Sequence, residues 1–188
     1  SSDLAEVGGG DEGRLFAVGL FHIGTQVVDG LVCLPGTHSK WARVAEGAIC
    51  DFSTFMTGES YALYRHQSLL SRLAEEPEEK AFFKNGLAAA RHPAGLLNRL
   101  FQARSLVLDA AMPGRGVGPY LSGLLIGTEI QGAFARYGRP KSVTLVADGG
   151  LAESYGRALE DEGLAARTLS PDEAFLAGLA LLRKEVVP

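Results

Sequence analysis

Between residues 142 and 168 the sequence runs through a buried strand (142–147), a turn at Asp148-Gly149-Gly150, a helix (151–162) and a second strand (165–168). That order is a βαβ unit, and the remainder of the chain has to extend its sheet and cover it. Upstream, apolar runs at 31–34, 41–44 and 48–52, separated by turns at Pro35-Gly36 and near Glu46-Gly47, read as an antiparallel meander. Residues 57–73 carry apolar side chains at Tyr61, Leu63, Tyr64, Leu69 and Leu70, and helical stretches follow around 78–90 and 94–104. A Gly/Pro loop at 113–119 leads into a long apolar helix, 120–137, whose Gly123, Gly127 and Gly132 permit close packing. At the end of the chain Ser170 and Glu173 form a capping box, Pro171 takes the first helical position, and Phe175, Leu176, Leu179 and Leu182 make one apolar stripe. The fold class expected is α/β, a mixed sheet with an antiparallel meander flanked by helices, without internal repeats. Trp41, Phe52, Phe55, Met56 and Tyr120 are expected in its core.

Composition narrows the function. With 188 residues and 46% hydrophobic content the chain can bury a real core. Its 22 acidic and 18 basic residues leave a net charge of -4, and no Lys/Arg cluster invites a nucleic acid. Cys33 and Cys50 belong to no CxxC or Cys/His cluster of metal spacing, which suits a reduced, cytoplasmic protein. No apolar run reaches the ~18 to 20 residues of a membrane span, and the first ten residues lack the order of a signal peptide. Neither nucleic acid nor membrane is expected as a partner.

Chemistry concentrates in the turn Pro35-Gly36-Thr37-His38-Ser39-Lys40, which gathers two hydroxyls, an imidazole and an ammonium beside a glycine that lets backbone amides approach a ligand. Such a turn suits an anion, above all phosphate, although composition alone leaves a polar hairpin turn with a surface lysine as an equal reading. No GxxxxGK[ST] follows a strand, so a P-loop is excluded, and the glycines of 114–118 match no dinucleotide fingerprint. A hydrolase built on Ser39 with His38 or His66 is disfavoured, because no GxSxG elbow is present and adjacent turn side chains rarely align as nucleophile and base.

The stretches LVCLPGTHSKW (31–41), TFMTGE (54–59), YLSGLLIGTEI (120–130), VTLVADGGLAESYGRAL (143–159) and DEAFLAGL (172–179) resemble, in order and spacing, the signatures of the 2-dehydro-3-deoxygalactonokinase family. The resemblance implies a ribonuclease-H-like lobe of the actin and hexokinase type and an ATP-dependent, Mg2+-requiring kinase acting on the C6 hydroxyl of a small sugar acid, 2-dehydro-3-deoxy-D-galactonate. In that family's superfamily a β-hairpin meets the ATP phosphates. Gly36, Thr37, His38, Ser39 and Lys40 match its position, with amides and hydroxyls as donors, Lys40 neutralising charge, and His38 orienting or only structural. Asp148, Gly149 and Gly150 match the adenosine motif, although a tight βα turn needing positive φ explains the glycines in any fold. Asp148 stands where a small residue is expected, and its carboxylate suits ribose hydroxyls better than phosphates. Thr57 and Glu59 fall in another family stretch. Thr57 is read as a cap of the following helix, and Glu59 either reaches the cleft or complements the helix dipole.

The resemblance begins at Leu31. Residues 1–30 hold no Asp-Gly-Thr loop and are read as a leader or a remnant of a first lobe, with 31–188 as the nucleotide-binding lobe. The catalytic base and most of the sugar-acid pocket are then expected elsewhere. Two functions compete: the kinase, for which this chain is the ATP-clamping lobe, and a non-catalytic nucleotide-binding or interaction module without the first lobe. ATP and a small sugar acid are the partners implied, and a homo-oligomer is allowed.

Overall fold

The computed structural model describes residues 29–46 and 48–186, so all of the expected leader except Asp29 and Gly30 lies outside the described residues. Strands β1 (Gly30–Leu34), β2 (Ser39–Ala45) and β3 (Ala48–Phe55) form the antiparallel meander, with Cys33 opposite Trp41 and Leu34 opposite Lys40. Helices α1 (Thr57–Gln67), α2 (Phe83–Ala90), α3 (Gly95–Leu108) and α4 (Val117–Tyr137) follow. The βαβ unit closes the fold as β4 (Ser142–Val146), α5 (Gly149–Asp161) and β5 (Ala165–Leu169), and α6 (Pro171–Val186) ends it. The sheet order is β3-β2-β1-β4-β5, with β4 parallel to β1 and β5 parallel to β4.

Central strand β1 is covered on both faces, which is why it reads as a continuous apolar run. Leu31 and Cys33 share one core with Trp41, Val143, Leu145, Ile130 and Tyr155, roofed by α4 and α5. Val32 and Leu34 pack on the opposite face with Val44, Val146 and Ala174 of α6. A second cluster, including Leu70, Leu100, Met112, Tyr120, Leu121 and Leu124, sits among the helices inserted between β3 and β4. Each fully buried large side chain in these clusters contributes about 1.5 to 3 kcal/mol relative to exposure.

The long helix keeps its place through its small residues. A Cβ on Gly123 would fall 2.1 Å from the Phe83 carbonyl, and one on Gly127 would fall 2.7 Å from Ala90 Cβ, so α2 and α4 cross nearly backbone to backbone.

Several boundaries differ from the sequence reading. The helix after β3 stops at Gln67, where Ser68 turns extended and its hydroxyl accepts the Leu70 amide to start a short 3-10 turn. The Gly/Pro loop ends at Gly116, and Pro119 stands in the first turn of α4, where its missing N–H leaves no helical bond unmade. Gly149 and Gly150 open α5 rather than precede it. Ser170 Oγ accepts the Glu173 amide at 3.4 Å, a long capping bond. The first half of the stripe on α6 does not pack on the sheet. Ala174 is the buried residue, whereas Phe175 and Leu176 are 38% and 63% exposed, and the side chains of Leu179 and Leu182 lie outside the described residues. Met56 is 56% exposed because it sits at the N-cap of α1, and Phe52 and Phe55 are only half-buried on β3, the edge strand. No helix among the described residues is long and apolar enough to cross a membrane.

Candidate functional site

Neighbouring parallel strands β1 and β4 end side by side, and their connections depart in opposite directions, β1 toward β2 and β4 into α5. Such a divergence opens a crevice at the carboxyl ends of the strands. Here it is a cleft of about 300 Å³, with Gly36, Thr37, His38 and Lys40 on one wall and Asp148 and Leu151 on the other.

The β1–β2 turn is held from behind by the start of α1. The Glu59 amide donates to the Thr37 carbonyl at 3.0 Å, and His38 Nε2 donates to Glu59 Oε2 at 2.5 Å. Lys40 Nζ folds back to donate to the His38 carbonyl at 3.1 Å, which keeps the ammonium over the turn. Glu59 therefore lies in the first turn of α1 and does not line the cleft itself, but carries the His38 imidazole that does. Thr57 does not cap that helix. Met56 occupies the N-cap without a side-chain bond, and Thr57 is buried.

On the opposite wall Asp148 is the N-cap of α5, extended and without a side-chain capping bond. The Ala152 amide makes the helix's first bond, to the Asp148 carbonyl, so the amides of Gly149, Gly150 and Leu151 have no partner within the helix. Gly149 has a φ of +49°, a left-handed conformation that accounts for glycine there by backbone alone. Gly36 and Gly150 differ. Neither has a positive φ, and a Cβ on either would meet nothing within 4 Å, so the fold gives no reason for glycine at these two positions.

Ser39 stands apart from the rest of its turn: it is fully buried and faces away from the cleft. Its hydroxyl lies 3.0 Å from Tyr155 Oη, which donates to Glu129 Oε2 at 2.6 Å, while Trp41 Nε1 donates to Glu129 Oε1 at 2.7 Å. Burial raises the Glu129 carboxyl above the ordinary carboxylate range, against the pull of the hydroxyl, phenol and indole groups around it. Burial, with the Glu129 charge beside it, also raises Tyr155. Glu129 and Tyr155 were not singled out in the sequence. The available signal was an acidic residue inside the apolar helix around GLLIGTEI, since a carboxylate in a buried helix requires partners.

The fold is that of a ribonuclease-H-like lobe of the actin and hexokinase type. It superposes with a TM-score of 0.84 on the crystal structure of a protein from Sinorhizobium meliloti assigned as a 2-dehydro-3-deoxygalactonokinase, at 37% identity, covering 91% of this chain and 59% of that one. Component A of the (R)-2-hydroxyglutaryl-CoA dehydratase of Acidaminococcus fermentans shares the fold at a TM-score of 0.55 and 14% identity, over 88% of this chain and 65% of that one. The family model for 2-keto-3-deoxy-galactonokinase matches residues 1–182, and the chain belongs to that family. Among curated relatives, a probable 2-dehydro-3-deoxygalactonokinase of Rhizobium meliloti (strain 1021) is 40% identical over 84% of this chain and 53% of its own length. The 2-dehydro-3-deoxygalactonokinase of Escherichia coli (strain K12) is 33% identical over 79% of this chain and 51% of its own. The chain thus spans about half the length of the curated relatives it matches.

Proposed function

We propose that this chain supplies the ATP-clamping lobe of a cytoplasmic kinase that phosphorylates 2-dehydro-3-deoxy-D-galactonate on its C6 hydroxyl. The observation that carries the reading is one cleft whose two walls both offer donors to an anion. One wall presents Lys40 and Thr37, the other the unpaired amides opening α5, and beside them Gly36 and Gly150 leave space that the fold does not use.

In this arrangement the turn's amides and the Thr37 hydroxyl donate to phosphate oxygens, and Lys40 neutralises the charge that builds as the phosphoryl group leaves. His38, oriented by Glu59, borders the same oxygens. Asp148 accepts from the ribose hydroxyls, and the nucleoside lies against Gly149 and Gly150. Transfer breaks the bond from the γ-phosphorus to its bridging oxygen and forms one to the sugar oxygen. We place the base that takes the hydroxyl proton, and most of the sugar-acid pocket, outside the described residues.

No group of three His, Cys, Asp or Glu side chains that could hold a metal gathers among the described residues. A magnesium ion bound mainly through phosphate oxygens and water needs only one or two carboxylates, and with Asp148 given to the ribose we place these outside the described residues. When bound, the ion would screen the negative charge of the phosphates.

Calorimetric titration of the chain with ATP and a coupled ADP-release assay on the protein as encoded, with and without 2-dehydro-3-deoxy-D-galactonate, test the reading. Saturable ATP binding and sugar-dependent ADP release are expected. ATP binding without turnover would favour a non-catalytic nucleotide-binding module, and no binding would end both readings.

A further inference from the structure

Four side chains meet beneath the β1–β2 turn, and all are shut away from solvent: Ser39 and Trp41 are 0% exposed, Glu129 and Tyr155 2%. They come from three elements, β2, α4 and α5, two of which carry the walls of the cleft. Their bonds have a direction. An indole N–H can only donate, so Glu129 Oε1 accepts from Trp41. Tyr155 donates its single proton to Oε2 and is left to accept from Ser39. Ser39 therefore donates inward. Its alternative acceptor, the Gly36 carbonyl, is a marginal 3.5 Å away.

We propose that Glu129 and Tyr155 are positioning residues for the nucleotide cleft: through Ser39 they fasten the phosphate-facing turn to α5 and so fix the spacing between the two walls. This rests on the nucleotide reading of the cleft. It also assigns Ser39 a task other than phosphate contact, since its hydroxyl is already committed to the buried chain of bonds. The geometry favours such a role because the same helix, α5, presents unpaired amides at its start and Tyr155 one and a half turns later. A shift of the turn relative to α5 would break a bond that buried groups cannot replace with water.

The test is a double-mutant cycle on the chain, with ATP in magnesium buffer as the titrant. Amide hydrogen exchange of residues 36–40 in the nucleotide-free chain provides a second readout. Tyr155→Phe and Ser39→Ala should each weaken ATP binding by about 10-fold, the scale of one buried hydrogen bond, and the double variant should be no worse than either single. Both should speed exchange in the turn. Glu129→Gln keeps the volume and can restore the line with Tyr155 reversed, the amide donating to Tyr155 and Tyr155 to Ser39. It should retain affinity within about 3-fold. Glu129→Leu, which fills the space without a partner, should behave like Tyr155→Phe. Loss in Ser39→Ala with wild-type affinity and exchange in Tyr155→Phe would overturn the proposal, because Ser39 would then act on the phosphate directly. A lowered melting temperature with unchanged affinity and exchange would reduce the network to ordinary packing. If the unmutated chain binds no ATP, the nucleotide reading fails by itself and the exchange data alone decide whether the turn is held this way.

Discussion

Gly58 lies directly beneath the Gly36 carbonyl: a Cβ built on Gly58 would fall 2.5 Å from that oxygen and 2.8 Å from Thr37 Cα. Two effects of Gly58→Ala oppose each other. Alanine favours helix by about 1 kcal/mol at an interior position, whereas forcing a methyl against immobile backbone costs about 1 to 3 kcal/mol. The obstacle here is main chain, which cannot rotate away, and the first turn of a helix gains little from propensity. Gly58→Ala should therefore lower the unfolding midpoint in urea and weaken ATP binding at the same time. An unchanged midpoint would show that the turn and α1 are not pressed together.

Lys40 lines the cleft and its ammonium is held over the turn by the His38 carbonyl. Lys40→Ala in the protein as encoded should reduce turnover by about 10²-fold, the scale of losing one charge-stabilising donor. Folding should be unchanged, since the one bond of its ammonium, to the His38 carbonyl, is exposed to solvent. Steady-state kinetics with a melting curve on the same sample check both halves, and wild-type turnover would remove Lys40 from the mechanism.

The two glycines opening α5 should separate fold from ligand. Gly149 has a φ of +49°, so Gly149→Ala should cost about 1 to 2 kcal/mol of stability. Gly150→Val projects into open space on the exposed first turn and should leave the melting temperature where it is. It should nevertheless weaken ATP binding more than sugar-acid binding, because the branched side chain fills the volume assigned to the nucleoside. Equal losses for both ligands would mean that Gly150 has no special relation to the nucleotide.

Glu162, just beyond α5, accepts from Arg91 Nε at 2.9 Å, from Arg139 Nη1 at 3.0 Å and from Gln131 Nε2 at 2.9 Å. Burial by itself would raise its carboxyl, but the two guanidinium groups outweigh that and hold it below the ordinary carboxylate value. A depressed folded pKa stabilises the fold above the unfolded value of about 4.3, and that stabilisation is lost as pH falls through the lower folded value. Glu162→Gln should thus melt a few degrees lower than the wild type at pH 7, with the gap closing below pH ~4. A gap that stayed constant down to pH ~3 would show that the cluster acts by shape rather than charge.

The order of strands and helices, the small-residue positions of α4 that permit close packing, and the polar turn at 36–40 were all readable from residues near one another in the chain. Local backbone preference and side-chain periodicity govern each of them. Gly123 and Gly127 lie four apart on one helical face, and the strand, turn, helix and strand of the βαβ unit are contiguous. What periodicity records is the face a residue occupies, not the side chain it meets. Ser39 and Tyr155 are 116 positions apart, and Trp41 and Glu129 are 88 apart. Only the packing of β2 against α4 and α5 converts these polar residues into one buried line. The same holds for α6, whose apolar stripe is regular in sequence, yet the sheet accepts the small Ala174 and leaves Phe175 and Leu176 outward. The sequence by itself determined the order of the elements and singled out the 36–40 turn as one whose residues suit an anion. Tertiary structure decided which turn residues face the cleft and which one, Ser39, is drawn inward, because a hydroxyl buried beside a phenol bonds to it rather than to solvent or ligand.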